Sequence, residues 1–265
     1  MNTGTLSTKE YWDSVLAKQQ LPRVNSPKIY NYYVTMNFID DILKKAKKRT
    51  FLEVGCGSSG WLPFFARTYG YVVSGLDYSE IGCRIAEENL KILNISYEAI
   101  ICQDIFKWTE EKKYDVIFSY GVIEHFEHPE EILKICYDHL DSDGLIITVV
   151  PNLQGFMGLL SRLFVRDIYK MHKVITRENI LQFHLRCGFK DVKTDYAGVL
   201  ALGVIPWSKS KLFFFHENTL RRKILLKMIT ITDKILCFFF KTLRFDFTSS
   251  YWSPYVISIM KKGNK

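Results

Sequence analysis

Residues 50–61 read TFLEVGCGSSGW, a short apolar run that closes on three spaced glycines, Gly55, Gly57 and Gly60. The run has the length and aliphatic content of a buried strand, and the following WLPFFARTYG reads as a helix closed by Gly70. A strand, a glycine turn and a helix start make a cradle for a polar ligand: glycine lets the backbone approach closely, and the first helical turn presents unpaired N–H groups. The same turn also serves merely to pack a helix close to its strand. Glu53, an acid inside the strand, has no place in that second reading.

Outward from this stretch, from about residue 36, strand-like and helix-like segments alternate. YVVSGLD (71–77) is a strand and YSEIGCRIAEENLKILN (78–94) a helix; YEAIICQDI (97–105) and YDVIFSYGVIE (114–124) are strands. PEEILKICYDHL (129–140) is an amphipathic helix with Ile132, Leu133, Ile135, Cys136 and Leu140 on its apolar side, and DSDG turns into the strand LIITVVP (145–151). TRENILQFHLRCG (176–188) is a helix, FKDVKTDYAGV (189–199) a strand, and SPYVISIMKK (253–262) a final strand. This βαβα succession predicts an α/β, doubly wound, mostly parallel sheet covered by helices on both faces. In such sheets ligands bind beyond the carboxyl ends of the strands. The residues to examine are therefore Gly55–Gly60, Asp77, Asp104, Ser119–His125 and Pro151-Asn152.

The spacing of acids narrows the ligand. Asp77 ends the second strand, where a carboxylate can accept both ribose hydroxyls of a nucleoside. Nicotinamide and S-adenosylmethionine sites share that feature. Three others favour an adenosyl amino acid: Glu53 can receive the ammonium of a methionine moiety, Asp104 stands in range of an adenine amino group with Ile105 to cover the ring, and no second βαβαβ half follows.

EVGCGSSG, GLDYS, CQDIF, YDVIFSYGVIEHFEHPEEIL and DGLIITVVPN, in that order over residues 48–152, resemble the motifs of class I S-adenosylmethionine-dependent methyltransferases, and TRENILQFHLRCGFKDV resembles the helix–strand that follows in that superfamily. The resemblance implies a Rossmann-like sheet of seven strands with an antiparallel last strand, and S-adenosyl-L-methionine as cofactor. It implies that Glu53 and the Gly55–Gly57 backbone, with Cys56 between, hold the amino-acid part and Asp77 the ribose. Asp104 and Ile105 would hold adenine, Ser119 and Tyr120 would line the methyl-donor pocket, and Gly60 and Tyr78 complete the expected donor site.

Methyl transfer to a hydroxyl needs alignment and removal of one proton. Candidate bases are Glu124, His125 and His172 in YKMHKVIT; His128 reads as a surface or capping residue, and His139, His184 and His216 as satisfied or solvated. VIEHF and HKVITRENI are similar to small-molecule O-methyltransferases of the ubiquinone-biosynthesis type. That subgroup often carries E-x-x-E-H here and can use it for a divalent metal; Gly121 replaces the first acid, so no metal is expected. EYWDSVL, GSSGWLPFFA and SPYVISIMKK also resemble methyltransferases encoded among bacterial surface-glycan genes, which implies a sugar or lipid-linked glycan hydroxyl as acceptor.

The 265 residues carry a net charge of +8, unevenly placed. Residues 203–265 hold twelve Lys/Arg against three acids, leaving the rest of the chain at −1. A basic segment on a neutral body suggests an anionic partner. The organisation expected is an N-terminal helical cap (1–35), a methyltransferase core (36–199 with 253–265) and a helical basic and apolar insertion (200–252). Tyr11, Trp12, Tyr30, Tyr32 and Tyr33 in the cap either close over the donor or pack on the sheet. In the insertion, 221–245 reads as a helix with Leu225, Met228, Ile229, Thr232, Ile235, Leu236 and Phe239 on one side and Lys223, Lys227, Lys234 and Lys241 mostly opposite. It serves as a lid over the acceptor pocket, as a homodimer contact, or through 220–245 as a membrane-surface element for a lipid-linked acceptor; LFFFHE (212–217) adds to either. The lid is favoured, because an apolar stripe needs only a packing partner.

Six scattered cysteines with no C-x-x-C pair read as buried reduced thiols. With no leader and no membrane-spanning run, they point to the cytoplasm, with peripheral membrane contact as the variant. The function expected is methyl transfer to a small-molecule or glycan hydroxyl; a nicotinamide oxidoreductase is the other enzyme class. Nucleic acid is disfavoured as partner, because the basic charges alternate with large aliphatic residues and SYGV (119–122) stands where an adenine-N6 motif would be.

Overall fold

The computed structural model describes residues 4–46, 49–210, 220–243 and 247–263. LFFFHE and His216 lie outside them. Seven strands form one sheet: β1 (Thr50–Val54), β2 (Val72–Asp77), β3 (Tyr97–Cys102), β4 (Tyr114–Tyr120), β5 (Leu140–Pro151), β6 (Phe189–Ala197) and β7 (Tyr255–Lys262). Their order is β3-β2-β1-β4-β5-β7-β6, parallel throughout except β7, which runs antiparallel to both neighbours. This is the doubly wound, mostly parallel sheet with an antiparallel last strand that the sequence predicts.

Side-chain alternation along the buried strands makes two cores. Phe51, Phe118, Ile147 and Ile257 face one side of the sheet, whereas their chain neighbours Leu52, Ile117, Ile146 and Val256 face the other. Over the first face lie α2 (Tyr30–Lys45), α3 (Trp61–Tyr69) and α4 (Glu80–Ile92); over the second lie α5 (Pro129–His139) and α8 (Arg177–Arg186). Local signals fix the helix ends. Gly70 closes α3 in a left-handed conformation, Pro129 opens α5, and Thr176 and Asn179 form a capping box at the start of α8. Residue 35, the expected end of the cap, falls inside α2.

Three strand ends differ from the sequence reading. β3 stops at Cys102, because the Asp104 side chain accepts the Phe106 N–H (3.0 Å) and caps a 3-10 turn over Ile105–Lys107. β4 stops at Tyr120, where Gly121 (φ +71°) turns the chain into the 3-10 turn Ile123–His125. β5 starts at Leu140, absorbing DSDG as an irregular entry with Asp143 at φ +63°.

Three further helices were less legible, α1 (Lys9–Leu16), α6 (Phe156–Phe164) and α7 (Arg166–Tyr169), whereas α9 (Leu220–Thr242) is the helix read over 221–245. The strand order reverses between β1 and β4, so a crevice opens beyond their carboxyl ends. Everything described next gathers there.

Candidate active site

The turn after β1 is shaped by contacts that admit no side chain. Gly55 has φ +75°, and a Cβ there would lie 2.5 Å from Val122 Cγ2. A Cβ on Gly60 would lie 2.6 Å from Asn25 Oδ1. The turn is fastened to β2 through Asp77: its Oδ2 accepts the Gly57 N–H and its Oδ1 the Ser79 N–H, both at 2.8 Å. Burial raises the Asp77 carboxyl above its usual range, while the N–H groups of Ser79, Gly57 and Tyr78 oppose that rise.

Glu53 is the charged anomaly of the region. It is only 2% exposed, and its Oε2 has no hydrogen-bond partner. Burial pushes its carboxyl well up; the Ser59 hydroxyl opposes this, nearby Asp77 adds to it, and the Leu62 backbone opposes it. A buried carboxylate oxygen left unpaired is costly. A cationic ligand group arriving beside it would remove that cost, and an ammonium is such a group.

One cavity of about 880 Å³ joins these groups. Glu53, Gly55, Cys56, Gly57, Gly60, Asp77, Tyr78, Asp104, Ile105 and Tyr120 all line it. Ser119 is buried and does not; its Oγ has no partner. Pro151 lines the cavity, but Asn152 turns away, donating to Ser250 O and Ser253 O (2.8 Å each) and anchoring the return to β7.

The N-terminal segment roofs the cavity. Leu16 of α1 packs over Gly57 and Gly82, and the Asp13 carboxylate bonds the Ser79 hydroxyl. Asn25 N–H donates to Gly60 O (3.0 Å), and Asn89 exchanges two bonds with the Arg23 backbone. Further back, Thr5 bridges Phe126, and the Leu6 N–H donates to His125 O (2.7 Å). Tyr11, Trp12 and Tyr32 line the cavity; Tyr30 instead joins the core beneath, its hydroxyl accepting the Val199 N–H.

Glu124, His125 and His172 converge on one wall, with one ligand atom from each within 4.8 Å of the others. His125 Nδ1 bonds Met171 O (2.8 Å), which makes Nδ1 the protonated nitrogen and leaves Nε2 as an acceptor. Its ring sits edge-on to Trp12 (5.1 Å) and 4.4 Å from the His172 ring. Burial, aided by His172, lowers the His125 imidazole to about 3, and burial also lowers His172. Burial raises the Glu124 carboxyl to about 8, and its Oε2 has no partner. Two neutral imidazoles can accept a proton, as can Glu124 once it ionises, and the three are also a donor set that suits a divalent cation. The other histidines stand apart. His128 is exposed, His139 stacks on Trp108 and bonds two carbonyls, and His184 is buried against Thr148 and Ile180 O.

The remaining wall comes from segments that carry no motif. Leu153, Val165, Ile168, Val204 and Pro206 make it apolar, while Asn31, Tyr32 and Tyr255 give it polar points. Tyr255 comes from antiparallel β7, and its hydroxyl accepts from that of Tyr120 (2.7 Å). A period-two count along SPYVISIMKK places Tyr255 on the same face as Ile257, but nothing in the sequence tells that its end meets the crevice. The helical period of FMGLLSRLF was the available signal for α6.

A methyltransferase-domain family model matches residues 29–194. The ubiquinone biosynthesis O-methyltransferase of Glaesserella parasuis is 30% identical over 139 residues, 51% of this chain and 58% of that protein. The malonyl-[acyl-carrier protein] O-methyltransferase of Bacillus cereus is 26% identical over 40% of each chain. The chain thus spans about half the length of the curated relatives it matches. Among solved structures, the plantazolicin methyltransferase BpumL, in complex with a pentazolic desmethyl analogue and S-adenosylhomocysteine, aligns with a TM-score of 0.58 at 19% identity, over 96% of this chain and 91% of that one. The Haemonchus contortus phospholethanolamine N-methyltransferase 2, in complex with phosphomonomethylethanolamine and S-adenosylhomocysteine, aligns with a TM-score of 0.58 at 14% identity, over 87% of this chain and 53% of that one. At such identities the likeness is one of fold.

Proposed function

Because the chain belongs to the methyltransferase-domain family and has the class I S-adenosylmethionine-dependent architecture, we propose that it transfers a methyl group from S-adenosylmethionine to a hydroxyl oxygen of a small-molecule or glycan acceptor. The observation that carries the donor is Glu53: a buried acid with an unpaired oxygen, in one cavity with Asp77 and Asp104. Glu53 takes the ammonium, Asp77 the ribose, and Asp104 with Ile105 the adenine. S-adenosylmethionine bound there supplies a methyl group on a positively charged sulfur, already activated for displacement.

The chain then has two tasks, to exclude water and to accept one proton. The roof from residues 5–25 serves the first. His125 serves the second: its tautomer, fixed by Met171, presents Nε2 as proton acceptor. Burial disfavours the imidazolium, and Glu124, whose ligand atom lies within 4.8 Å, supplies the missing counter-charge as it ionises towards pH 8. His172 holds the pair in place by packing on the His125 ring. Proton transfer of this kind needs no metal, so the reaction is read as metal-independent. The hydroxyl reading also draws on the curated relatives, two of whose names are those of O-methyltransferases.

Calorimetric titration with S-adenosylhomocysteine, and in parallel with NADH, tests the donor. Micromolar binding of the first alone supports the assignment, and binding of NADH alone overturns it. Incubation with S-adenosylmethionine and a panel of sugars, glycolipids and phenols, read by mass spectrometry, tests the acceptor. A rate that collapses with EDTA and returns with Mg²⁺ would reassign Glu124, His125 and His172 to a metal.

A further inference from the structure

The α9 helix has two apolar faces, which the sequence reading merged into one. Leu225, Ile229 and Leu236 are half-buried and Cys237 is buried, and Phe240 meets the Tyr30 ring at 6.5 Å, so the inner face already has its packing partners. Met228, Ile235 and Phe239, expected on that same side, are exposed instead. The outer stripe is Ile224, Met228, Ile231, Ile235 and Phe238, spaced by four and three residues and 48% to 71% exposed. Nothing covers it among the described residues.

What borders the stripe identifies what it meets. Lys223, Lys227 and Lys234 run along one flank of the helix, exposed and without an ion-pair or hydrogen-bond partner among the described residues. Asp233 is the helix's sole acid, and it faces inward onto Gly203. Phe247, Tyr251 and Trp252, which follow α9 in the chain, are exposed aromatic residues as well. A second copy of the chain would set lysine row against lysine row with no acid on the helix to receive them. Nucleic acid would match the lysines and leave five large apolar side chains against phosphate. An anionic bilayer satisfies both parts, because acyl chains take the stripe and headgroups take the lysines. The helix does not cross that bilayer: no described helix is long and apolar enough to do so.

We propose that α9 is a membrane-docking element that lies, outer face down, in the interface of an anionic lipid bilayer. Its inner side backs the turn Leu202–Val204, and Gly203 and Val204 belong to the apolar wall of the cavity. Docking therefore brings the acceptor end of the site beside the lipid surface. Resting on the methyl-transfer reading, this narrows the acceptor to an amphiphile or lipid-linked glycan that reaches the site along the membrane.

The test is flotation of the full chain with vesicles of phosphatidylcholine alone and with added phosphatidylglycerol. The expected result is flotation with the anionic vesicles, weakened by salt and absent with the neutral ones. Paired Ile235→Ser and Phe238→Ser substitutions should weaken partitioning on the order of tenfold or more. Paired Lys227→Gln and Lys234→Gln should do so on the order of thirtyfold. Both pairs are exposed, and S-adenosylhomocysteine titration checks that each variant is folded. No flotation of the wild type, or equal flotation with neutral vesicles, overturns the proposal. So does light scattering that shows a dimer dissolved by Phe238→Ser, which would assign the stripe to a second copy. Failure of S-adenosylhomocysteine to bind the wild type would count against the donor reading and leave the flotation result standing.

Discussion

The two ends of the cavity are built by different means. The proposed donor end comes from strand termini that are near one another in sequence: Glu53 in β1 with the glycine turn after it, Asp77 at the end of β2 and Asp104 after β3. Each of these acids is held by the fold before any ligand arrives, Asp77 and Asp104 by backbone N–H groups and Glu53 by burial. The proposed acceptor end is assembled from α1, α6, α7, the turn at residues 202–206 and the first residue of β7, segments far apart in the chain. The donor end is a fixed socket, whereas the acceptor end is a set of separate surfaces that happen to meet.

The sharpest way to break this division is at the residue that joins its halves. His125→Ala should lower the transfer rate on the order of a thousandfold, as expected for loss of a general base, and leave S-adenosylhomocysteine affinity within about twofold. A comparable loss of affinity would place His125 in the donor socket instead. Asp77→Ala should do the reverse. Losing two charge-assisted bonds within the turn, and the acceptor for a ribose, should weaken S-adenosylhomocysteine binding on the order of a hundredfold by calorimetry. Gly55→Ala places a Cβ at φ +75° and 2.5 Å from Val122, so urea unfolding should show a loss of about 2 kcal/mol. An unchanged urea midpoint would mean that the socket is less rigid than its contacts indicate.

The smallest effect is the pH dependence of Glu124. Its folded carboxyl titrates at about 8 against 4.5 for the free group, so the stabilisation from its neutral form is full below pH 4.5 and lost as pH rises through 8. Relative to Glu124→Gln, the wild type should therefore lose stability across that window and match it in acid. His125 works in the opposite sense. With its imidazole lowered from 6.5 to about 3, its contribution is present above pH 6.5 and lost as pH falls through 3. The transfer rate should climb towards pH 8 as Glu124 ionises, a few-fold rise that Glu124→Gln flattens. A flat wild-type profile would separate Glu124 from catalysis.

Legibility in the sequence follows the same line. The sheet and the residues that line one end of the cavity were readable because buried parallel strands need continuous apolar runs, and a turn at their ends needs its glycines and acids at fixed offsets. Ser119 shows the limit even there: alternation along β4 decides which of Ser119 and Tyr120 faces the crevice, and the Tyr120 side lines it. At the acceptor end, Tyr255 and Val204 carry no local pattern, since what makes them wall residues is the long-range pairing of β7 and the packing of the insertion. The α9 helix was misassigned in orientation for a related reason. With apolar residues around most of its circumference, helical periodicity alone does not say which arc meets the protein.

The two bonds that tie Asp77 to Gly57 and Ser79 also bear on the thermodynamics of recognition. A carboxylate free to rotate must be frozen when it grips a ribose, and the freezing opposes binding. Here that entropy is lost during folding, so each ribose contact proposed for Asp77 would be made by a group already in position. Affinity then depends on where the carboxylate is held as much as on its charge. Glutamate at position 77, with the same charge on a longer tether, would have to find that position anew each time a ligand bound.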